Sequence, residues 1–311
     1  MLDLRPESLA FVHFRAPDLD AMASFGADFG LAEAGRTDEA LYLRGHSSAP
    51  YLHVTTRGEP GFVGLAFAAT GLDLRAFARD RGLPLEPLAR PGGGIGTQLV
   101  DPDGFVVELV AEQEVRQDSG LPPRAATNDV RTRLRQAPKR LPEGPAHIVR
   151  IGHCVLAVSD FRKSERWYKE RFGLLTSDEI VDEEGLFGPK GSTVGAFLRL
   201  DQGATPTDHH TVFLLGTGKA GFHHAAFEVL DLDDLMSGHS HLKTRSRAPE
   251  WGIGRHLLGS QVFDYWRDPW GHTVEHWTDG DFLDRAWGSR QATVKEALHV
   301  QWGPVFPGMK P

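Results

Sequence analysis

The residues best suited to chemistry are His153, the pair His223–His224 and Glu275: imidazoles and a carboxylate far apart in the chain. Neutral imidazole nitrogens with one carboxylate suit a divalent first-row metal, and three such ligands on one face leave three coordination positions open. Open positions mean substrate chemistry, whereas a structural staple closes its coordination shell. Taken singly, a histidine on an apolar strand is more often a satisfied core or surface residue. The distribution argues otherwise here, because eleven of the fifteen histidines lie from His153 onward, against His13, His46 and His53 in the first half and His147 between. Neighbouring side chains on a strand point to opposite faces, so one of His223 and His224 looks inward; periodicity alone does not choose which.

Ligands so distant in sequence need several strands to bring them together, and an internal repeat supplies them. GFVGLAFAATGLDL from Gly61 returns as GFHHAAFEVLDLDDL from Gly221, and DPDGFVVELV from Asp101 returns as DPWGHTVEHW from Asp268. FVHFRAPDLDAMASFGADFGL parallels IGHCVLAVSDFRKSERWYKERFGL, each a strand, a turn with Asp at a helix N-cap, an amphipathic helix and a Gly-Leu exit. Each half divides into two units of roughly 50 residues that read strand, helix, then strands separated by turn residues. The expected fold is α+β, with two domains, each of two paired βαβββ modules whose sheet forms an open barrel around a cavity. The expected divisions are a metal-free domain over 1–113, a polar, proline-punctuated connector over 114–146, a metal-bearing domain over 147–279 and a tail over 280–311. Aligning the halves puts Phe11 near His153, Gly64 at His224 and Glu108 at Glu275, so the first half lacks both imidazoles and Glu108 is expected to be an ordinary polar strand-end residue.

A length of 311 residues, about twice a usual domain, leaves room for two cores. The net charge of -8 argues against a nucleic-acid partner, which would need a positive surface. The one cysteine, Cys154, excludes an internal disulfide and thiolate clusters, fits a reducing cytoplasm and is expected to face away from His153. No basic flank precedes an apolar core at the N-terminus and no run of about 18 apolar residues occurs, so no membrane association is expected.

These pieces carry a family resemblance. RIGHCVLAV, DHHTVFLL, GFHHAAFEV and GIGRHLLGSQVFDYWRDPWGHTVEHW resemble the type I extradiol dioxygenases of the vicinal-oxygen-chelate superfamily, the group containing catechol 2,3-dioxygenase and 2,3-dihydroxybiphenyl 1,2-dioxygenase. The resemblance takes the second histidine of each pair, making His153, His224 and Glu275 ligands of Fe(II), with Mn(II) able to use the same set. It makes His210 the histidine beside the oxygen site and the general acid in O–O cleavage, and gives His256 and Tyr265 the task of binding the ring oxygens. The implied partners are a small aromatic diol or triol and dioxygen, in a homo-oligomer. Reaction of triplet dioxygen with a singlet catechol is spin-forbidden, which is why both must meet on a paramagnetic metal. Within the family, the connector and the opening of the second domain are most similar to the trihydroxytoluene oxygenases.

Val155 and Phe197 are candidate pocket residues, although such side chains are usually core. His209, His223 and His276 are expected to point outward beside functional neighbours, and His239 and His241 to sit in a solvated segment. The tail tryptophans Trp287 and Trp302 are expected to bury, against the pocket or a neighbouring subunit. Two other readings stay open: a metal-dependent isomerase or lyase of the glyoxalase type, which would not need His210, His256 and Tyr265 together, and a non-catalytic binder of aromatic ligands.

Overall fold

The structure, a computed structural model, describes residues 3–116, 120–124 and 126–307, so positions 117–119 and 125 of the expected connector and 308–311 of the expected tail lie outside the described residues. The first half forms β1 (Ser8–Ala16), α1 (Leu19–Phe29), β2 (Ala32–Arg36), β3 (Ala40–Arg44), β4 (His53–Arg57), β5 (Gly61–Ala68), α2 (Gly71–Arg81), β6 (Glu86–Pro87), β7 (Ile95–Val100) and β8 (Val106–Ala111). The second begins with β9 (Ile148–Val158), α3 (Phe161–Phe172), β10 (Leu175–Asp182), β11 (Ser192–Arg199), β12 (Thr207–Asp208) and β13 (Val212–Gly216). It continues with β14 (Gly221–Val229), α4 (Leu232–Thr244), β15 (Ala248–His256), β16 (Val262–Arg267), β17 (Thr273–Thr278), β18 (Phe282–Leu283), β19 (Arg290–Thr293), α5 (Val294–Leu298) and β20 (Val300–Trp302).

Strand order is β2-β3-β4-β1-β5-β8-β7-β6 in the first sheet and β19-β10-β11-β13-β9-β14-β17-β16-β15-β20 in the second. Removing β19 and β20 leaves the same order twice, as expected of two domains each built from paired βαβββ modules. Local chemistry repeats with it. Asp18 caps α1 by accepting from the Asp20 and Ala21 amides, Asp160 caps α3 by accepting from Lys163, and Gly30 and Gly173 end the two helices in the left-handed region. Asp101 accepts from the Asp103 and Phe105 amides, and Asp268 from those of Trp270 and His272, closing the same turn in each half.

Helix faces follow the usual spacing: α1 buries Leu19, Met22, Phe25 and Phe29, and α3 buries Phe161, Ser164, Tyr168 and Phe172. The halves are joined through α1, where His276 on β17 donates to the Phe29 carbonyl at 2.7 Å and stacks on its ring at 3.9 Å. Gly30 follows, at φ 102°, and a Cβ there would lie 2.1 Å from the Ala146 carbonyl oxygen, so only glycine admits the chain entering the second domain.

The segment after β17 completes the second sheet. β19 pairs with the outer strand β10, β20 pairs with β15 at the opposite edge, and Arg285–Trp287 forms a single 3-10 turn. Six residues, 294–299, separate β19 from β20, which limits the gap between the sheet's two edges to roughly 20 Å. The sheet therefore curls nearly closed around its inner face. Trp287, in that 3-10 turn, and Trp302, on the edge strand β20, are 43% and 45% exposed on the single chain rather than buried over the pocket. Among the described residues, no helix is long and apolar enough to cross a membrane.

Candidate metal centre and the side chains around it

Strand register assembles the site. His153 on β9 lies opposite Ala226 on β14, Ala226 opposite Glu275 on β17, and Glu275 opposite Tyr265 on β16. Side chains in register share a face, so His153, Glu275 and Tyr265 all look inward, and the methyl group of Ala226 leaves the space between the first two open. His224 joins from the adjacent row, paired with Val155 and Thr273. The Nε2 atoms of His153 and His224 are 3.3 Å apart, and Glu275 Oε2 lies 3.3 and 3.2 Å from them.

That triangle fits a metal. Cis ligands bonded to a divalent first-row ion at about 2.1 Å sit about 3.0 Å apart, close to the observed edges. Glu275 is wholly buried, and neither of its oxygens receives a hydrogen bond from any described residue. A buried carboxylate without donors costs several kcal/mol unless a cation compensates it. Burial alone would raise its pKa, but His153 and His224 outweigh that effect and hold it well below the ordinary carboxylate range. His153, His224 and Glu275 are the one trio of ligand-type side chains close enough together to hold a metal among the described residues.

The second imidazole is oriented by its neighbour. The β9–β14 register slips between Phe222 and His224, a bulge at His223, and brings the two Nδ1 atoms to 2.8 Å. His223 is exposed, as expected of an outward neighbour, yet the bulge brings its ring against His224; a proton shared between the two Nδ1 atoms would leave His224 Nε2 free for a metal. His153 has no such support, since its Nδ1 is buried without a partner.

His210 precedes β13 and is buried, its ring centroid 4.1 Å from that of His153 and 4.8 Å from Phe197. Burial drives its pKa well below the usual imidazole value, and the surrounding histidines add to this. His256 Nε2 lies 3.0 Å from the Tyr265 hydroxyl and 3.9 Å from Glu275 Oε1. Burial holds His256 down at about 4 and pushes the Tyr265 hydroxyl well above its ordinary value. Val155 and Phe197 are both buried, and Phe197 stacks on Phe213 at 4.0 Å. The structure thus gathers all eight candidate residues on one side of one sheet.

Cys154 faces the core, away from His153, with its thiol pKa pushed up by burial. His276 points away from the site, into the contact with α1. His209 is not an outward residue: it is buried, with Nε2 2.6 Å from Asp178 and Nδ1 3.1 Å from His210 Nδ1. His239 and His241 lie on α4 rather than in a solvated segment, His239 facing buried Asp264 at 3.1 Å and His241 facing Asp28 at 3.4 Å. Glu108 is no strand-end residue either; it sits within β8, 2.7 Å from Arg90.

The profile of the Glyoxalase/Bleomycin resistance protein/Dioxygenase superfamily matches residues 150–276, which contain every candidate site residue. Metapyrocatechase 2 of Cupriavidus necator is 28% identical over 300 residues, spanning 94% of this chain and 87% of its own. The chain is an extradiol ring-cleaving dioxygenase. An iron-dependent extradiol dioxygenase of Rhodococcus jostii (strain RHA1) is 27% identical to this dioxygenase over 163 residues, 52% of this chain and 53% of that one. In fold, the dioxygenase superposes on the Mn(II)-bound glyoxalase of Novosphingobium aromaticivorans with a TM-score of 0.78 at 24% identity, covering 99% of this chain and 95% of that one. Asp178 and Ala226 gave no sequence signal: an acid inside TSDEIVDEE and an alanine inside a strand acquire meaning only through register.

Proposed function

We propose that the protein uses iron to open an aromatic ring beside, not between, its vicinal hydroxyls, with His210, His256 and Tyr265 as its catalytic side chains. The observation carrying this is the donorless, buried Glu275 facing two imidazoles, with the Tyr265–His256 pair on the same rim. Bound Fe(II), or Mn(II) on the same ligands, supplies the paramagnetic centre at which dioxygen and a diol can exchange electrons. The iron dependence of the Rhodococcus relative supports the first of these ions.

The chain's own groups handle protons and orientation. Burial keeps His210 neutral, the form able to accept the proton a ring hydroxyl gives up and later return it to reduced oxygen. Tyr265 and His256, 3.0 Å apart, present a donor beside an acceptor, suited to holding two ring oxygens in unequal protonation states. Val155 and Phe197 supply apolar surface for the ring. A trihydroxylated ring is one substrate of this reading, supported by the trihydroxytoluene-oxygenase-like connector. A homo-oligomer in the cytoplasm completes it, supported by the exposed Phe282, Trp287 and Trp302 and by the lone buried thiol.

The test is to load the protein with Fe(II) under anaerobic conditions, add a panel of catechols and trihydroxybenzenes, admit air, and record oxygen uptake with the yellow ring-fission product. Uptake with ring opening is expected for at least one member of the panel. Silence across the panel would reject the reading.

A further inference from the structure

The chain has two His-His pairs, and in each the Nδ1 atoms of the neighbours meet; His224 of one pair faces Glu275 within the metal trio, whereas His209 of the other reaches a carboxylate outside that trio. Asp178 on β10 places Oδ2 2.6 Å from His209 Nε2, and His209 places Nδ1 3.1 Å from Nδ1 of His210. A carboxylate only accepts, so His209 carries its proton on Nε2. An imidazole with its one proton on Nε2 offers a lone pair at Nδ1, and the proton shared with His210 then comes from His210 Nδ1. The second nitrogen of His210, Nε2, is left bare.

We propose that Asp178 and His209 are positioning residues that, on the dioxygenase reading, fix His210 in the Nδ1–H tautomer and aim an unprotonated Nε2 at the reacting oxygens. The surroundings hold this chain of contacts rigidly. Ser177, next to Asp178, donates to the His209 carbonyl at 2.6 Å, so β10 grips His209 by backbone and ring together. The His209 amide donates to the Asp281 carbonyl at 2.9 Å. Arg199 anchors Ser177 in turn, donating to its hydroxyl at 3.0 Å. Gly259, at φ 76°, closes the remaining side, where a Cβ would stand 3.0 Å from His209 Nδ1 itself. In the His223–His224 pair the carboxylate, Glu275, lies on the ligand His224 at 3.2 Å rather than behind the supporting ring.

A wrong tautomer of a catalytic histidine leaves geometry intact and removes activity, which gives the test its signature. Three variants separate tautomer from packing. Asp178→Asn can donate to His209 Nε2 and so reverse the proton positions; His209→Leu removes the acceptor; His209→Asn puts an amide oxygen near the position of Nδ1 and keeps it. Two measurements apply to each: 15N spectra of histidine-labelled, Zn(II)-loaded full-length protein, which report the protonated nitrogen of His210, and oxygen-uptake kinetics of the iron-loaded enzyme.

The wild type and His209→Asn are expected to show His210 protonated on Nδ1, and the other two variants on Nε2. With His209→Leu and Asp178→Asn, kcat should fall about 10-fold to 100-fold, with metal content and diol KM nearly unchanged and most of the rate regained in His209→Asn. Equal losses in His209→Leu and His209→Asn, or a wild-type His210 protonated on Nε2, would overturn the proposal. Wild type that takes up no oxygen would reject the ring-cleavage reading instead, and the spectra would still decide the tautomer.

Discussion

Arg90 lies 2.7 Å from Glu108, and Glu108 occupies in the first sheet the place that Glu275 occupies in the second. The same register that aligns His153, Ala226 and Glu275 aligns Phe11, Ala66 and Glu108. Where the second domain offers its carboxylate to a metal, the first answers its own with a guanidinium that also lies over Phe11 and Tyr51 at 5.0 and 5.6 Å. The position matching His224 is Gly64, where a Cβ would approach the Val106 carbonyl oxygen to 1.8 Å. A second ligand cannot be restored there without moving β8.

Removing the guanidinium strands the carboxylate. Arg90→Met should destabilise the first domain by about 2 kcal/mol, discounted from a fully buried pair because both partners keep some solvent contact. Arg90→Met with Glu108→Leu should recover most of that loss. Urea unfolding of the two variants checks this; equal stability of the single and double variants would contradict it.

Metal binding should register as stability, since the trio is assembled only in the folded chain. Metal at about 100 times its Kd should add about 2.7 kcal/mol, seen as a rise in Tm that a chelator reverses. Glu275→Gln and His224→Ala should each abolish that rise, with bound metal measured on the same samples. Retention of the shift in either variant would place the ion elsewhere.

Much of this site was legible in the sequence because its cause is periodic. Two repeats with the same turns fixed which strands lie side by side, and side-chain alternation then put His153 and Glu275 on one face. Alternation was incomplete where the backbone departs from it: the irregular approach to β13 buried His209, and the bulge at His223 left that residue exposed but brought its ring against His224. Asp178 and Arg90 were invisible for a different reason. Each acts across the sheet on a residue far away in sequence, and a charged side chain near a strand reads as solvated until its partner is known.

His53 makes stability depend on pH. It is buried against Phe14, and burial lowers its pKa to about 4. Unfolded, the imidazole returns to its ordinary value and binds a proton that the folded chain refuses, so its contribution is full above about pH 6.5 and is lost as pH falls toward 4. From about pH 7.5 to about 5.5 the loss should be roughly 1 kcal/mol. His53→Asn should flatten that part of the profile in urea titrations; an unchanged slope would assign the dependence to other groups.

Metal retention separates ligands from catalytic groups. His210 touches His153 by ring contact but contributes no atom to the ligand triangle, so His210→Ala should keep near-normal iron while turnover falls about 10^2-fold to 10^4-fold. Tyr265→Phe removes the hydroxyl 3.0 Å from His256, leaving the imidazole without that partner and the ring oxygens without a donor. Its effect should be smaller, about 10-fold in kcat, with KM for the diol rising because ground-state contact is lost as well. Iron content by colorimetric assay and steady-state kinetics on each variant check both statements. Loss of iron from His210→Ala would make that histidine a ligand rather than a proton carrier, and the open positions of the centre would have to be counted again.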